Sequence, residues 1–352
     1  MANGTSPSAT EAARLLGAAG WISDRQGKLD FVRDHGCVIG LDLGGTKLRG
    51  AISDAGGRVF DEIEQQTGND APDSALGQIV EMAKTLAART AVPLDRIEHI
   101  AVGVPGVIDP EGRVALSPNV SFHPQTNVVQ TLRAALQRPV SVDNDGNLSA
   151  FGEFKVGRGR EHGGHSLVFL AIGTGVGMGL INDGRLLRGS RGGAGEIAFI
   201  PFGPDPFTAS RVNPGGAFEA AVGSDGIRSA YMARTGKQAR VREIFDLAEA
   251  GDKDAEQVVD RLMRDVALGL GTVIALLDPG LVVVGGGVGA RPGVAAAIEH
   301  LTAQLTSTPC RVVPSALGDR AGVVGAVAFA RHQATLRLIE DRNVAPGDRV
   351  TA

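Results

Sequence analysis

Three times in this chain an apolar run stops abruptly in a glycine-rich turn. VIGL leads into Asp42-Leu43-Gly44-Gly45-Thr46-Lys47, LVFLAI into Gly173-Thr174-Gly175, and LVVV into Gly285-Gly286-Gly287. Short apolar runs bounded by glycine read as buried strands, and a turn without Cβ atoms lets backbone N–H groups close around a phosphate. Thr46 and Thr174 add hydroxyl donors, and Lys47 adds charge unless it points into solvent. Asp42 is placed to hold Mg²⁺ through water, because Mg²⁺ gives up its waters reluctantly. A single turn of this kind is more simply a tight hairpin; three of them, with Asp42 and two threonines, favour the phosphate reading.

The first two turns also repeat. Gly44, Gly50, Ile52 and Asp54 match Gly173, Gly179, Ile181 and Asp183 at one offset of 129 residues, each segment reading strand, glycine turn, strand, polar turn. Two such hairpins imply a duplicated domain with a cleft between the copies; chance matching among 50 glycines is the alternative. Around them, Ser74 to Thr90 has helical spacing, His99 to Val104 and Val140 to Val142 read as buried strands, and Gly322 to Arg337 reads as a helix. This alternation predicts an α/β class. Residues 184 to 220 read as a long loop with short elements. Residues 1–35 form an extension in which Glu11 to Ile22 reads as one short helix, and the end from Asn343 reads as a frayed tail.

Charge and cysteine content narrow the function. Lys and Arg number 35 against 39 Asp and Glu, a near-neutral net charge of −4 that gives no electrostatic footprint for nucleic acid or a membrane surface. Cys37 and Cys310 cannot build a disulfide framework and fit a reducing compartment; Cys37 reads as a small core residue. The longest uncharged apolar run, Val266 to Leu277, is too short to span a bilayer and reads as a packed internal helix. No targeting signal is legible, so the expected location is the cytoplasm.

Neither a P-loop nor a G-x-G-x-x-G dinucleotide motif occurs. Asp143-Asn144-Asp145-Gly146-Asn147 stands at a strand end, where a carboxylate can take a proton from a hydroxyl attacking phosphorus; an Asx-rich turn is the plainer alternative. Glu196, in GGAGEIAFI, and Glu219, in GGAFEAAVG, sit in apolar company where carboxylates are paired or bind a ligand, although a helix surface also accounts for Glu219. His162 and His165 lie in a polar glycine loop with no third ligand near in sequence and read as solvated.

Taken in order, DLGGTK, VPG (Val104 to Gly106), SPN (Ser117 to Asn119), NDGN, AIGTGVG, GAGE and DPGLVVVGGG resemble the ROK family of sugar kinases and regulators, over roughly Val38 to Arg331. The resemblance implies the actin-like ATPase (ribonuclease H-like) fold, with a small N-terminal domain from 36–146 plus 322–340, a large C-terminal domain from 147–321, and a tail from 341–352. It implies Asp145 as the catalytic base and Asn119, Asn144, Glu196 and Glu219 as sugar-hydroxyl ligands, with Gly106 lining the pocket. It makes Asp42 to Lys47 (through Gly44, Gly45 and Thr46) and Gly173, Thr174 and Gly175 the two phosphate loops, and places the adenosine at Gly285, Gly286 and Gly287. The implied cofactors are ATP and Mg²⁺, and the implied assembly is a homodimer.

One departure stands out. Members of this family usually hold a structural zinc with one His and three Cys; here those positions carry Phe199, Ser210, Val212 and Ala217. None of these side chains supplies a zinc donor, so no zinc is expected, and packing by Phe199, Phe202, Phe207 and Phe218 is expected to hold the loop. The missing His also removes a hydrogen bond near a sugar's anomeric end, which puts a cyclitol without an anomeric carbon on a par with glucose or an N-acetylhexosamine. The resemblance extends to ROK-like kinases that act on C7-cyclitols, and it implies a C7-cyclitol such as 2-epi-5-epi-valiolone as the leading substrate. The expected activity is transfer of the γ-phosphoryl group of ATP to a primary hydroxyl. The alternatives are a non-catalytic sugar sensor or regulator and a polyphosphate-dependent glucokinase. A DNA-binding regulator is disfavoured, because only about 35 residues precede the first core strand.

Overall fold

A computed structural model describes residues 22–25, 28–31, 36–68, 71–117 and 120–343. The expected N-terminal helix lies outside these residues except for Ile22, which opens a strand: β1 (Ile22–Arg25) pairs antiparallel with β2 (Lys28–Phe31). The chain divides into two compact units, Met1–Asp145 with Val323–Ala352, and Gly146–Gly322.

The first unit is built on β3 (Cys37–Leu43), β4 (Lys47–Ser53), β5 (Val59–Gln66), β6 (Ile97–Val104) and β9 (Val140–Asn144), with a small side ribbon of β7 (Val107–Ile108) and β8 (Val114–Ala115). The sheet order is β5-β4-β3-β6-β9; β3, β6 and β9 run parallel and the β3–β4–β5 meander is antiparallel. Every residue of β3 but Asp42 is buried, as a central strand covered on both faces requires. On one face lies the helix Ser74–Arg89, whose Leu76, Ile79, Met82, Ala83 and Leu86 recur at helical spacing and enter the core. On the other face lies the C-terminal helix Ala321–Asn343. It approaches so closely that a Cβ on Gly40 would sit 2.3 Å from the Val327 nitrogen.

The second unit contains β10 (Leu167–Ile172), β11 (Val176–Asn182), β12 (Arg185–Leu186), β13 (Val282–Gly285) and β14 (Val312–Pro314). Their order, β12-β11-β10-β13-β14, and their pattern of antiparallel and parallel neighbours reproduce those of the first sheet. One face carries the helix Asp145–Lys155, close enough that a Cβ on Gly179 would lie 2.2 Å from the Gly146 carbonyl oxygen. The other face builds the core with the helices Ala217–Val222, Ser224–Thr235 and Lys253–Leu277. The last is started by Asp252, whose side chain accepts from the N–H groups of Asp254 and Ala255. The expectation of a wholly internal helix at Val266 to Leu277 needs correcting: Leu268 is exposed and Leu276 is 78% exposed, so one stripe faces outward.

The repeat also needs correcting at one point. Leu43 pairs with Leu48 across a four-residue link, whereas Ile172 pairs with Val176 across three. Before the turns an offset of 129 holds; after them the structural offset is 128. Gly50 and Gly179 are therefore not equivalent. A one-residue slip turns a strand residue to the opposite face, and Gly50 meets Met82 of the flanking helix on one side of its sheet while Gly179 meets the helix Asp145–Lys155 on the other side of its own.

Candidate active site

In both sheets the parallel strands end at one edge, and in α/β sheets ligands bind outside those carboxyl ends. In the first unit β3 delivers the turn Gly44–Lys47, β6 delivers Pro105 and Gly106, and β9 delivers Asn144 and Asp145. Gly106 takes φ +108, and a Cβ there would strike the Ala115 oxygen at 2.6 Å, so this position needs glycine. The Asn144 side chain donates to the Gly106 carbonyl at 3.1 Å, which ties the second exit to the third. Asp145 then opens the helix Asp145–Lys155, where the helix dipole favours a carboxylate. Asn119 lies outside the described residues.

Register places a transverse row of charges just inside this edge. Glu64, Arg49, Asp42, Gly103 and Asp143 are successive partners across β5, β4, β3, β6 and β9. Arg49 binds Glu64 at 2.6 Å, and the Lys47 ammonium binds the same carboxylate at 2.6 Å. Those two cations hold the Glu64 carboxyl below its ordinary range. Burial first, and the neighbouring Asp145 second, push the Asp42 carboxyl up to about 7, with Arg49 opposing. Sequence reading singled out Asp42 and Lys47 but missed Arg49 and Glu64. The i, i+2 spacing of Lys47 and Arg49 on a strand was the available signal.

Both phosphate-type turns point their carbonyl oxygens inward. In the first, Gly44 N donates to Lys47 O at 2.8 Å, Thr67 Oγ1 to Gly44 O at 2.8 Å, and Thr67 N to Thr46 O at 2.9 Å. In the second, Gly173 N donates to Gly175 O at 2.9 Å, while Ser224 N and Oγ donate to the Gly173 and Thr174 oxygens. An anion approaching either turn meets few unsatisfied carbonyls, which suits phosphate. Gly45, Thr46 and Thr174 are exposed.

The glycines of the second unit divide by purpose. A Cβ on Gly175 would sit 2.1 Å from Glu219 Oε2, and one on Gly286, at φ +76, would sit 2.4 Å from the Ile172 oxygen. These two are demanded by internal packing. Gly287 has nothing within 4 Å, and Gly173 has only the Gly287 nitrogen at 3.8 Å, so these two adjoin each other and border open space.

Glu219 accepts from Val176 N at 2.9 Å through Oε2, and its Oε1 has no hydrogen-bond partner among the described residues. Its neighbour Phe218 is fully buried, edge-on to Phe202 with ring centroids 5.1 Å apart, and anchors the short helix that carries Glu219. Packing in this segment is therefore by Phe202 and Phe218. Phe207 is 92% exposed on a helix, Pro206–Val212, that buries none of its residues, and Phe199 is 40% exposed, so the expectation that these two also pack is corrected. Glu196 is half-buried at the start of the single turn Ile197–Phe199. Among the described residues no cluster of three or more His, Cys, Asp or Glu is arranged to hold a metal, and no helix is long and apolar enough to cross a membrane.

Comparison with known proteins gives a consistent result. Residues 38–333 match the ROK family. A glucokinase from Aeropyrum pernix is 31% identical over 316 residues, covering 83% of this chain and 96% of that protein. The bifunctional enzyme NanE/NanK of Brucella melitensis is 30% identical over 298 residues, 83% of this chain; the chain spans about half of that relative, 54%. Among solved structures, a ROK family glucokinase from Streptomyces griseus in complex with glucose and AMPPNP superposes with a TM-score of 0.65 at 25% identity, covering 84% of this chain and all of that one.

Proposed function

The chain belongs to the ROK family, and from that premise we propose that it is a sugar kinase transferring the γ-phosphoryl group of ATP to a primary hydroxyl of a hexose or a sugar-like cyclitol. The observation that carries this reading is the placement of the carboxylates Asp42 and Asp145 at strand ends, beside a glycine turn whose carbonyls are bonded within the protein. Glucokinases and a protein crystallised with glucose and AMPPNP among its relatives support it.

Asp145 takes the proton of the attacking hydroxyl, and Asn144, braced on Gly106, is one of the substrate's ligands; Asn119, Glu196 and Glu219 are the further sugar-hydroxyl ligands that the family resemblance implies. The turns Gly44–Lys47 and Gly173–Gly175 hold phosphates, with Gly286 and Gly287 toward the nucleoside. Asp42 beside Asp145 leaves negative charge that Arg49 only partly offsets, and a neighbouring pair of carboxylates suits Mg²⁺ that keeps most of its waters. Bound there, Mg²⁺ would supply charge neutralisation at the transferred phosphate. No zinc forms part of this reading, since Phe199, Ser210, Val212 and Ala217 offer no donor set for it.

Phe199 presents an exposed ring where the family resemblance implies a histidine, and that resemblance, which includes kinases of C7-cyclitols, makes a C7-cyclitol the leading specific substrate of this reading. The exposed stripe of Leu268 and Leu276, with Arg264 at one end and Asp278 at the other, supports a two-fold homodimer in which these ends pair; a monomer mass by equilibrium sedimentation would remove that assembly. The test of function is coupled ADP release with Mg²⁺-ATP over glucose, mannose, N-acetylglucosamine, N-acetylmannosamine, fructose and 2-epi-5-epi-valiolone. Turnover of one acceptor is expected, and cyclitol turnover with weak hexose activity confirms Phe199 as a specificity residue. Silence across the panel with folded protein overturns the ATP-dependent reading, and a repeat with polyphosphate tests the alternative donor.

A further inference from the structure

Glu153 is wholly buried, and among the described residues no Lys, Arg or His side chain is bonded to it. Its carboxylate is held instead by one near backbone N–H and by two donors more than 160 residues away in sequence. Oε1 accepts from the Ser315 hydroxyl and from Leu317 N at 3.0 Å, and Oε2 accepts from Arg158 N at 3.0 Å. Arg158 in turn donates through Nε to the Pro314 carbonyl at 3.1 Å. The backbone is shaped to admit this group, since a Cβ on Gly157 would lie 2.1 Å from Oε2.

A buried carboxylate is poor material for stability alone, because its desolvation offsets most of what its hydrogen bonds return. What Glu153 holds is informative. Ser315, Ala316, Leu317 and Gly318 follow β14, the third parallel strand of the second sheet, so they stand at the same edge as the Gly173 and Gly285 turns. Ser315 N donates to Val284 O at 2.8 Å, its hydroxyl accepts from Gly318 N at 2.8 Å, and a Cβ on Gly285 would lie 3.6 Å from the Ser315 Cβ. Glu153 therefore fixes Ser315, and Ser315 abuts the turn that opens onto the free space beside Gly287.

We propose that Glu153 is a positioning residue for nucleotide binding, holding the 315–318 loop against the Gly285–Gly287 turn so that the two together form the wall of the nucleotide site. This rests on the kinase reading above, which puts the nucleotide at those turns. It touches no substrate itself; it acts through Ser315 and Leu317.

The experiment is calorimetric titration of Mg²⁺-ADP, and separately of the acceptor turned over in the panel, into the full-length protein and its Glu153→Gln variant. The amide places an N–H₂ group against Arg158 N or Leu317 N and breaks part of the clasp. Loss of a hydrogen bond to a charged group predicts about tenfold weaker Mg²⁺-ADP binding or more, with acceptor affinity held within about twofold and KM for Mg²⁺-ATP rising more than kcat falls. Equal loss for both ligands, or unchanged Mg²⁺-ADP affinity in a folded variant, overturns the proposal. If Glu153→Gln does not fold, Ser315→Ala replaces it: weaker Mg²⁺-ADP binding alone supports the role and unchanged binding overturns it. Wild-type protein that binds no Mg²⁺-ADP overturns the kinase reading together with this one, whereas wild-type binding with an indifferent variant overturns this one alone.

Discussion

The two sheets share strand order and strand direction, yet they treat their carboxylates in opposite ways. In the first, Asp42 and Asp145 stand at the strand ends, Asp145 adding to the burial that disfavours charge on Asp42, with Arg49 as the local countercharge. In the second, Glu153 and the Oε2 of Glu219 turn inward to grip backbone N–H groups, and the exits are left to glycine. The same scaffold thus offers concentrated negative charge at one edge and uncharged open backbone at the other. The first suits a proton acceptor and a cation; the second suits a nucleotide's phosphates and nucleoside.

The sharpest way to break this contrast is to remove charge from the first edge. Asp145→Asn is expected to lower kcat by about 10²–10⁴-fold while circular dichroism and thermal unfolding stay close to wild type. Substantial residual turnover would contradict the assignment of the base.

At the second edge the contrast lies between two adjacent glycines. Gly286→Ala places a methyl against the Ile172 oxygen in a left-handed backbone and should destabilise the fold by about 2–4 kcal/mol, measured by chemical denaturation. Gly287→Ala meets nothing within 4 Å, so stability should hold while KM for Mg²⁺-ATP rises about tenfold. If both variants behaved alike, the division between packing and ligand-facing glycines would fail.

A smaller effect concerns Asp42. Its carboxyl sits near 7 in the folded protein against an ordinary 3.8, so the unfolded chain releases this proton first as pH rises. The folded state then binds more protons over that window, and stability contributed by this group falls from about pH 4 to about pH 7. Asp42→Asn should therefore raise the melting temperature at pH 8 by about 2–4 °C, and leave it nearly unchanged near pH 4, while activity is lost. In the wild type, kcat/KM for Mg²⁺-ATP should lose its acid side near pH 7, and Arg49→Leu should move that limb higher. The buried His99 shows the opposite sign. Burial, then Arg337 and Arg133, hold it down to about 4, so its contribution is lost as pH falls below about 6.5.

Strand, turn and strand were legible around Gly44 and Gly173 because short apolar runs ending in glycine leave few alternatives, and the α/β class followed; the actin-like fold was implied by the resemblance of the ordered motifs to the ROK family. The repeat was legible as architecture but misleading residue by residue, since one residue fewer in the second turn shifts everything after it. Asp42 and Asp145 could be picked out as acids at strand ends. Arg49 offered only its i, i+2 spacing from Lys47, and Glu64 and Glu153 offered nothing, because their meaning comes from cross-strand register and from partners as far away as Ser315 and Leu317. The outward position of Phe207 was hidden for a related reason: aromatic content alone does not say which face of a short helix finds a core.

The division of labour between the two edges can be tested most directly by amide hydrogen exchange read by mass spectrometry, with Mg²⁺-ADP and the acceptor added separately. The account predicts that Mg²⁺-ADP protects peptides spanning 173–176 and 285–288 most strongly, while the acceptor protects those spanning 104–107 and 143–147. Protection in the reverse pattern, or Mg²⁺-ADP protection absent from both glycine turns of the second unit, would contradict it.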